Sequence, residues 1–506
     1  MKALPLWAFI TALCLVAFVA ITLITQYIFE HVPHSEDEVA YLFQAKVLAQ
    51  NRLTVPTPVQ PQAFWSPFVV DYENRRFGKY PIGWPLLLSL GVRIGMPWLV
   101  NAALATASLA LIGLLGCLYY CTNKTDAPRR LVPLFAVGLG VVTPGYLFLS
   151  SSLLSHTASL FWVTLALVAL FQAVTASRYR NVYGLGVGLA LGATFITRPF
   201  AALGVALAVG VFIGWLLLRK EVHISILLWI VAGGLLVSLL LPLFWWAAVG
   251  DPTFNPYVLV WPYDRIGLGS DIGPQGYTLH DAIFINTRLK LLALATGLFG
   301  WPGWTNLFFL PIPFLARQAN RWDWLLVGII GGLIFVHLFY WAFGGVDGGF
   351  PRYYYDALPA FLVLTARGID LCRQWLCRLA RSPSQRFIAT GILAGVIISL
   401  VAYNLFWHLP PLLAAQKGKY GITSAPLQAV EQAEISTPAL VFVKDVKRWS
   451  DFAAPFAANS PLLDGPVVYA IDWGEEDSQS LRDFFKDRFC YELQGEGVRE
   501  CAGLAE

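Results

Sequence analysis

Charged residues are scarce in this chain: they make up 13% of its 506 residues, whereas hydrophobic residues make up 57%. A soluble domain of this size needs far more polar surface, so a soluble fold is excluded and the bilayer is the main solvent. The sequence also lacks a phosphate-cradling glycine-rich loop, a dinucleotide fingerprint and a zinc-protease helix. Nucleotide-linked substrates on the cytoplasmic face therefore have no support, and no nucleic-acid partner is indicated.

The apolar residues fall in about eleven stretches that are long enough, or nearly so, to cross a hydrocarbon core ~30 Å thick as helices. Backbone amides exposed to lipid must be paired within a helix, so the predicted fold is an all-α polytopic membrane bundle with about eleven transmembrane helices. The stretch at 303–316 is short, and residues 281–299 before it form either an interfacial helix or part of that span. The predicted spans are 5–28, 97–120, 131–150, 153–175, 182–197, 199–218, 223–248, 303–316, 323–343, 356–372 and 387–408.

Basic residues cluster on alternate connections between these spans. By the positive-inside rule those connections are cytoplasmic, which predicts a multi-pass protein of the cytoplasmic membrane with its N-terminus inside and its C-terminus outside. The first apolar run follows Lys2 and is too long for a signal-peptide core, so we interpret it as an uncleaved anchor. The clustered residues are Lys124, Arg129, Arg130, Arg178, Arg180, Arg219, Lys220, Arg317, Arg321, Arg373, Arg378, Arg381 and Arg386.

The chain divides into a membrane domain, 1–409, and a small extracytoplasmic α/β domain, 410–506, with predicted strands at 439–445, 465–472 and 489–494 and helices at 427–435 and 478–487. Three outside loops, 29–96, 249–290 and 344–355, are candidates for function, since long loops on membrane scaffolds tend to carry it. Cys490 and Cys501 lie in the tail, where an oxidising compartment favours a disulfide; the alternative is two free thiols.

Acidic residues crowd the start of the first outside loop. Glu36, Asp37 and Glu38 precede apolar residues at helical spacing, which predicts an amphipathic helix lying along the membrane interface. Capping of that helix by its macrodipole explains one carboxylate. Capping explains a group of three carboxylates less well. Neighbouring negative charges raise one another's pKa, which favours a role as a general base.

Two strings in this loop carry a family resemblance. The residues from Asp37 to Ala45 and from Lys79 to Leu87 resemble the first loop of GT-C glycosyltransferases, and more closely the branch that holds the protein O-mannosyltransferases, the aminoarabinose transferases acting on lipid A and many bacterial relatives. The resemblance covers 29–200 and the region of Arg352. It implies a GT-C-like fold and transfer of a sugar from a polyprenyl-phosphate donor to a lipid, glycan or protein acceptor.

The same resemblance assigns roles residue by residue. Asp37 matches the base that deprotonates the acceptor, with Glu38 beside it as a second catalytic candidate. Lys79 falls where some relatives have a lysine before a proline-rich turn that meets the donor phosphate, and Tyr80 beside it is a substrate-binding candidate. Metal-dependent relatives carry an acidic motif in the next outside loop, whereas this chain has Ser151, Ser152, Ser155 and His156 there. A hard divalent cation prefers several oxygen ligands, so we expect chemistry without a metal or other cofactor.

Three cations lie at outer helix ends, where the positive-inside rule does not place them: Lys79, Arg198 and Arg352. A guanidinium pairs bidentately with phosphate, so these residues are candidates for binding a lipid phosphate. The alternative is contact with membrane lipid headgroups or pairing with a carboxylate such as Asp347 or Asp356.

Three further residues complete the candidate substrate-binding set: His156, His280 and Tyr353. Each has a structural alternative. A histidine at a helix end can simply bond a backbone carbonyl, and the tyrosines at 353–355 can form an aromatic belt at the interface.

The interpretation is an inverting glycosyltransferase, a hexosyl- or pentosyltransferase, that acts on the extracytoplasmic face. The alternative is a secondary transporter or a lipid flippase of the cell envelope, which would show broken helices at mid-bilayer and repeated halves. A third class, an assembly scaffold, would leave Asp37, Arg198 and Arg352 scattered instead of converging on one groove.

Overall fold

A computed structural model describes residues 6–121 and 131–501 of the chain. Lys2, Lys124, Arg129 and Arg130, which entered the orientation argument, lie outside the described residues. Helices dominate the fold. They are α1 Leu6–Tyr27, α2 Glu36–Ala49, α3 Gly83–Arg93, α4 Pro97–Tyr120, α5 Leu131–Val142, α6 Pro144–Ser151, α7 His156–Thr175, α8 Arg180–Thr197, α9 Pro199–Leu218, α10 Ile224–Ser238, α11 Leu240–Val249, α12 Tyr257–Val260, α13 Arg288–Gly297, α14 Ile312–Leu315, α15 Arg321–His337, α16 Leu358–Leu379, α17 Pro383–Tyr403, α18 Leu409–Gln416, α19 Ala425–Gln432, α20 Trp449–Ala458 and α21 Glu475–Phe484.

Six helical segments in the described part of the chain are long and apolar enough to cross a membrane, and α5 with α6 makes a seventh if the two, bent by 60°, count as one span. α8, α15 and α16 also lie where spans are predicted but are not among the six. The predicted span at 303–316 is wrong. Residues Gly303–Leu307 form a short 3-10 helix and α14 has four residues, because the Gly-Pro-rich start cannot sustain a continuous helix.

One end of the bundle gathers the basic connections. Arg321, at the start of α15, forms an ion pair with Glu221 beyond α9 at 2.7 Å. Ser225 at the start of α10 donates to Asn181 at the start of α8, at 2.9 Å. These contacts bring the connections α7–α8, α9–α10 and the approach to α15 to the same end, as the alternation of charge predicts.

The opposite end carries the first loop, whose helix α2 is more deeply buried than the sequence suggests. Tyr41 and Leu42 pack into the core of the membrane helices, whereas Val39 and Phe43 pack against the C-terminal segment. The predicted helix is therefore present, and its position along the membrane interface stays a prediction. The membrane helices cover one face of α2 and the C-terminal segment covers the other. The spacing of apolar residues in the sequence predicts one buried face and does not reveal a second partner.

Short strands complete this loop and the C-terminal segment. β1 and β2 flank β3 in an antiparallel sheet within the first loop, and β4 pairs with β5 near Arg352. The C-terminal sheet has the order β7-β6-β8-β9, with β9 antiparallel to β8 and the others parallel. The strands are β1 Val55–Pro56, β2 Val69–Tyr72, β3 Arg75–Gly78, β4 Val346–Asp347, β5 Phe350–Pro351, β6 Ala439–Val443, β7 Val467–Ile471, β8 Phe489–Gln494 and β9 Gly497–Glu500.

The C-terminal segment is an α/β unit anchored on the first loop. The three predicted strands are present, and a disulfide joins Cys490 in β8 to Cys501, the residue that follows β9. The buried amine of Lys46 on α2 donates to two backbone carbonyls at the C-terminus of α20. One belongs to Ala457, in the last turn of α20, and the other, at 2.9 Å, belongs to Asn459, just beyond it. A cation at a helix C-terminus is electrostatically favourable, so this contact fixes the unit to α2.

Candidate active site

Asp37 stands in the first turn of α2, which begins after the cap residue Ser35. One carboxylate oxygen of Asp37 lies 3.1 Å from Nη1 of Arg352, and the other accepts a hydrogen bond from the Tyr80 hydroxyl. The Asp37 and Arg352 side chains are 18% and 21% exposed. The pair thus joins the loops 29–96 and 344–355 at a place that water reaches.

Tyr353 lies among three cations at this end of the bundle. The distances from its ring centroid are 5.2 Å to Nζ of Lys290, 5.6 Å to Cζ of Arg198 and 6.0 Å to Cζ of Arg352. The ring of His337 stacks on it at 5.2 Å. Lys290 is 1% exposed, and no carboxylate of the described residues pairs with it. We call Lys290, Arg198, Arg352 and Tyr353 the cation cluster; its charges converge on a small volume.

Arg352 has carboxylates on more than one side. Burial alone would lower its pKa, but the Asp37 and Asp347 carboxylates outweigh burial and raise it above the usual value. Its guanidinium therefore stays charged, and Nε has no hydrogen-bond partner. That unused donor is available to an anion.

Arg198 connects the cluster to α7 and to the buried carboxylate of Asp356. Nη1 of Arg198 lies 2.7 Å from Nε2 of His156, and Nε lies 3.6 Å from Asp356. An arginine has only donors, so Nε2 of His156 accepts and the imidazole is neutral with its proton on the other nitrogen. His156 therefore orients Arg198 and does not carry charge in this arrangement.

Lys79 occupies an aromatic box beside the Asp37 pair. Its amine lies 3.8 Å from the ring centroid of Phe68, 4.5 Å from that of Trp261 and 4.9 Å from that of Tyr257. Asp264 pairs with it at 3.5 Å. Burial lowers the pKa of Lys79, and the Asp264 carboxylate opposes that shift. The charge of Lys79 is already balanced, unlike that of Lys290.

Glu38 bonds to Ser35 and Leu153 and not to a member of the cation cluster. One of its oxygens accepts from the Ser35 hydroxyl at 2.8 Å, and the other accepts from the backbone amide of Leu153 at 2.9 Å. Burial raises the pKa of Glu38 to about 7. Its contacts tie the start of α2 to the connection between α6 and α7, and a catalytic role for it stays a prediction.

The structure does not bring His280 to the cation cluster. Its side chain is 71% exposed, and its partners in the described part of the chain are Asp281 and Phe284. A role for His280 in substrate binding stays a prediction that this geometry does not favour.

Sequence reasoning missed Lys290, His337 and Asp264. A usable signal existed for Lys290, because it is a cation beyond an outside loop, where the positive-inside rule does not place one. His337 and Asp264 gave no comparable signal. Their roles depend on neighbours that lie far from them in sequence: Tyr353 for His337 and Lys79 for Asp264.

Metal ligation has no cluster to support it within residues 6–121 and 131–501, where no three His, Cys, Asp or Glu side chains are grouped closely enough. Ser151 and Ser152, at the connection between α6 and α7, bond to backbone carbonyls instead: Ser151 donates to Leu147 and Ser152 to Leu149. The chemistry that the arrangement offers is a carboxylate able to take a proton, next to cations able to hold an anion.

The fold defines the chain's structural class. It has the fold of GT-C membrane glycosyltransferases, as similarity to solved structures shows. No protein-family profile matches the sequence, and no curated protein does so either.

ArnT from Cupriavidus metallidurans, solved bound to undecaprenyl phosphate, is 14% identical over 96% of this chain and 92% of that one, with a TM-score of 0.57. Its apo structure is 13% identical over 94% and 92%, with a TM-score of 0.53. The Archaeoglobus fulgidus oligosaccharyltransferase, solved with Zn and sulfate, is 13% identical over 94% of this chain and 67% of that one, with a TM-score of 0.50. At these identities the likeness is one of fold.

Proposed function

We propose that the chain is an inverting glycosyltransferase that moves a sugar from a polyprenyl-phosphate donor to an acceptor on the extracytoplasmic face of the membrane. The observation that carries this proposal is the pairing of a partly exposed carboxylate, Asp37, with a cation cluster at one end of a membrane bundle. The binding of undecaprenyl phosphate by ArnT, which shares the fold, supports a lipid phosphate as the donor's leaving group.

The orientation of the site follows from charge. The basic connections lie at the end of the bundle opposite the Asp37 pair, and the positive-inside rule places such connections in the cytoplasm. Asp37, the cation cluster and the C-terminal α/β unit are then extracytoplasmic. The disulfide between Cys490 and Cys501 fits an oxidising compartment.

The reaction is a single displacement. Asp37 takes the proton of the acceptor hydroxyl, and the acceptor oxygen bonds to the anomeric carbon from the face opposite the leaving group. The bond from that carbon to the phosphate oxygen breaks, and the polyprenyl phosphate leaves with the electron pair. Attack from the opposite face inverts the anomeric configuration.

Charge develops on the leaving phosphate, so cations at that place lower the barrier most. Arg352 exchanges part of its contact with Asp37 for the donor phosphate, which frees that carboxylate for the acceptor proton. Arg198 and Lys290, both close to Tyr353, supply further positive charge. Lys79 and Tyr80 shape the wall next to Asp37, with the charge of Lys79 balanced by Asp264.

Two of the candidate residues, His156 and Glu38, act by positioning other side chains. His156 holds Arg198 toward the cluster by accepting its hydrogen bond. Glu38 fixes the first turn of α2, and with it Asp37, against Leu153. Both are positioning residues in this mechanism.

The test is direct. Purified protein in lipid nanodiscs is incubated with a panel of radiolabelled polyprenyl-phosphate sugars and membrane extracts as acceptor source. Release of polyprenyl phosphate from at least one donor, lost in Asp37→Asn, is the expected result. Transport of an intact lipid-linked sugar across sealed vesicles, without cleavage, would favour the flippase alternative and contradict the proposal.

A further inference from the structure

A groove separates α9 from α15 on the outside of the bundle. The two helices touch at Gly204 and Gly332, where a Cβ added to Gly332 would lie 2.3 Å from the carbonyl oxygen of Gly204. Gly204 is near the start of α9 and Gly332 near the end of α15, so the helices are antiparallel and touch at the end next to the cation cluster. Toward Arg321 they enclose a cavity of about 600 Å³.

The groove has the shape and lining of a site for a hydrocarbon chain. Leu207, Val211, Trp215 and Phe335 are among its walls, and glycines such as Gly331 leave part of its floor without side chains. A Cβ on Gly331 would meet no atom within 4 Å. From its Phe335 end to its Arg321 end the groove follows α15 for about 21 Å at 1.5 Å per residue. One leaflet of the hydrocarbon core is ~15 Å thick, so one acyl chain fits along it.

Cations surround the end of the groove that lies away from the cation cluster. Arg321 lines it, and the guanidinium of Arg219 lies 4.8 Å from the ring centroid of Trp215. Glu221 pairs with Arg321 at 2.7 Å, but no carboxylate of the described residues pairs with the exposed Arg219. Lys220 is also exposed here. Two arginines and a lysine against one carboxylate leave this end with net positive charge.

We propose that the α9–α15 groove binds an anionic phospholipid of the cytoplasmic leaflet, with its phosphate between Arg219 and Arg321 and one acyl chain along α15. A guanidinium binds phosphate through charge-assisted hydrogen bonds, and tryptophans such as Trp215 favour the headgroup level of a bilayer. The site depends on the orientation of the protein in the membrane and not on the transfer reaction.

The donor's polyprenyl tail is the less suitable occupant. Its phosphate belongs at the cation cluster, whereas the cations Arg321 and Arg219 lie at the opposite end of the groove. A polyprenyl tail in the groove would leave the positive charge at the Arg321 end, including that of Arg219, without a negative partner. The headgroup of an anionic phospholipid supplies that negative charge.

The test compares lipids and variants in the full chain. Protein purified in neutral detergent is titrated with phosphatidylglycerol or phosphatidylcholine, and bound lipid is counted by native mass spectrometry while Tm is recorded. We expect phosphatidylglycerol to bind preferentially and to raise Tm. Replacing Arg219→Gln or Arg321→Gln should weaken that binding about fivefold per arginine. Arg386→Gln, at an exposed arginine near the start of α17, is the charge control.

A second pair of variants tests the groove itself. Gly331→Leu fills it, whereas Gly391→Leu on α17 adds the same side chain at a glycine whose Cβ also meets nothing within 4 Å. Loss of the phosphatidylglycerol adduct in Gly331→Leu, with the adduct kept in Gly391→Leu and both proteins folded, is the expected result. Equal binding of the two lipids, or an adduct unchanged by Gly331→Leu, would overturn the proposal. Displacement of the adduct by undecaprenyl phosphate would assign the groove to the donor tail instead.

Discussion

Replacing Asp37 by asparagine removes one negative charge and one proton acceptor and preserves the shape of the side chain. The asparagine carbonyl can still accept from the Tyr80 hydroxyl, which now bonds one carboxylate oxygen. The amide group would face Arg352, whose guanidinium lies 3.1 Å from the other oxygen. Arg352 would keep the nearby charge of Asp347, which also raises its pKa.

The two expected magnitudes differ widely. A partly exposed ion pair contributes about 1 kcal/mol or less to stability, so the variant should fold and unfold close to wild type. General base catalysis contributes ~10²–10⁴-fold to rate, which is about 3–5 kcal/mol of barrier. The loss in kcat should therefore exceed what any loss of stability explains.

The assay is transfer from the donor that the wild-type protein accepts, with kcat and the donor KM measured separately. Asp71→Asn is the matched control, since Asp71 pairs with Arg76 in the same loop at 2.9 Å but outside the site. We expect Asp37→Asn to lose at least about 100-fold in kcat and Asp71→Asn to keep its rate. An Asp37→Asn protein within a few-fold of wild type would refute the assignment of Asp37 as the base.

Three further predictions follow from the geometry. Lys290→Met should raise the donor KM at least about tenfold, because a hydrogen bond to a charged group is lost, whereas Lys46→Met, at a partly buried lysine bonded to backbone carbonyls, should leave that KM unchanged. Burial raises the pKa of Glu38 from 4.5 to about 7, so the folded state holds a proton that the unfolded chain releases in this range. Stability should fall by about 3 kcal/mol as pH rises from about 4.5 to about 7, and Tm of Glu38→Gln should lose that slope; an unchanged slope would contradict the burial argument. Replacing Cys490 and Cys501, 11 residues apart, by serine should destabilise the C-terminal unit by about 3 kcal/mol, seen as earlier proteolysis of that unit; equal proteolysis would contradict it.

The C-terminal unit shows how far local pattern carries. Its strands β6, β7 and β8 begin and end close to the predicted positions, because alternating or continuous apolar residues bounded by turn residues specify a strand locally. Helix α20 was missed. It contains Pro455, and proline within a helix argues against one in any reading from propensity alone.

The candidate site shows where local pattern stops. Asp37, Arg198 and Arg352 were found because each is polar at a place where composition predicts apolar or uncharged residues. Lys290 went unnoticed although it meets the same criterion. Glu38 is also a polar residue at such a position, yet its two carboxylate oxygens bond Ser35 and Leu153. Adjacent residues on a helix point about 100° apart, so neighbouring carboxylates in sequence need not share a site.

The sequence by itself determined that the chain is a helical membrane protein. It also determined where the basic connections lie and which polar residues near the helix ends are unusual. These features are local properties, because they depend on the free energy of transferring each residue between water and lipid. The tertiary structure alone decided that Asp37 meets Arg352, that three cations surround Tyr353 and that α2 is covered on both faces. Most of those contacts join segments that are far apart in the sequence. They arise from the packing of the whole bundle, in which no single segment encodes its partner.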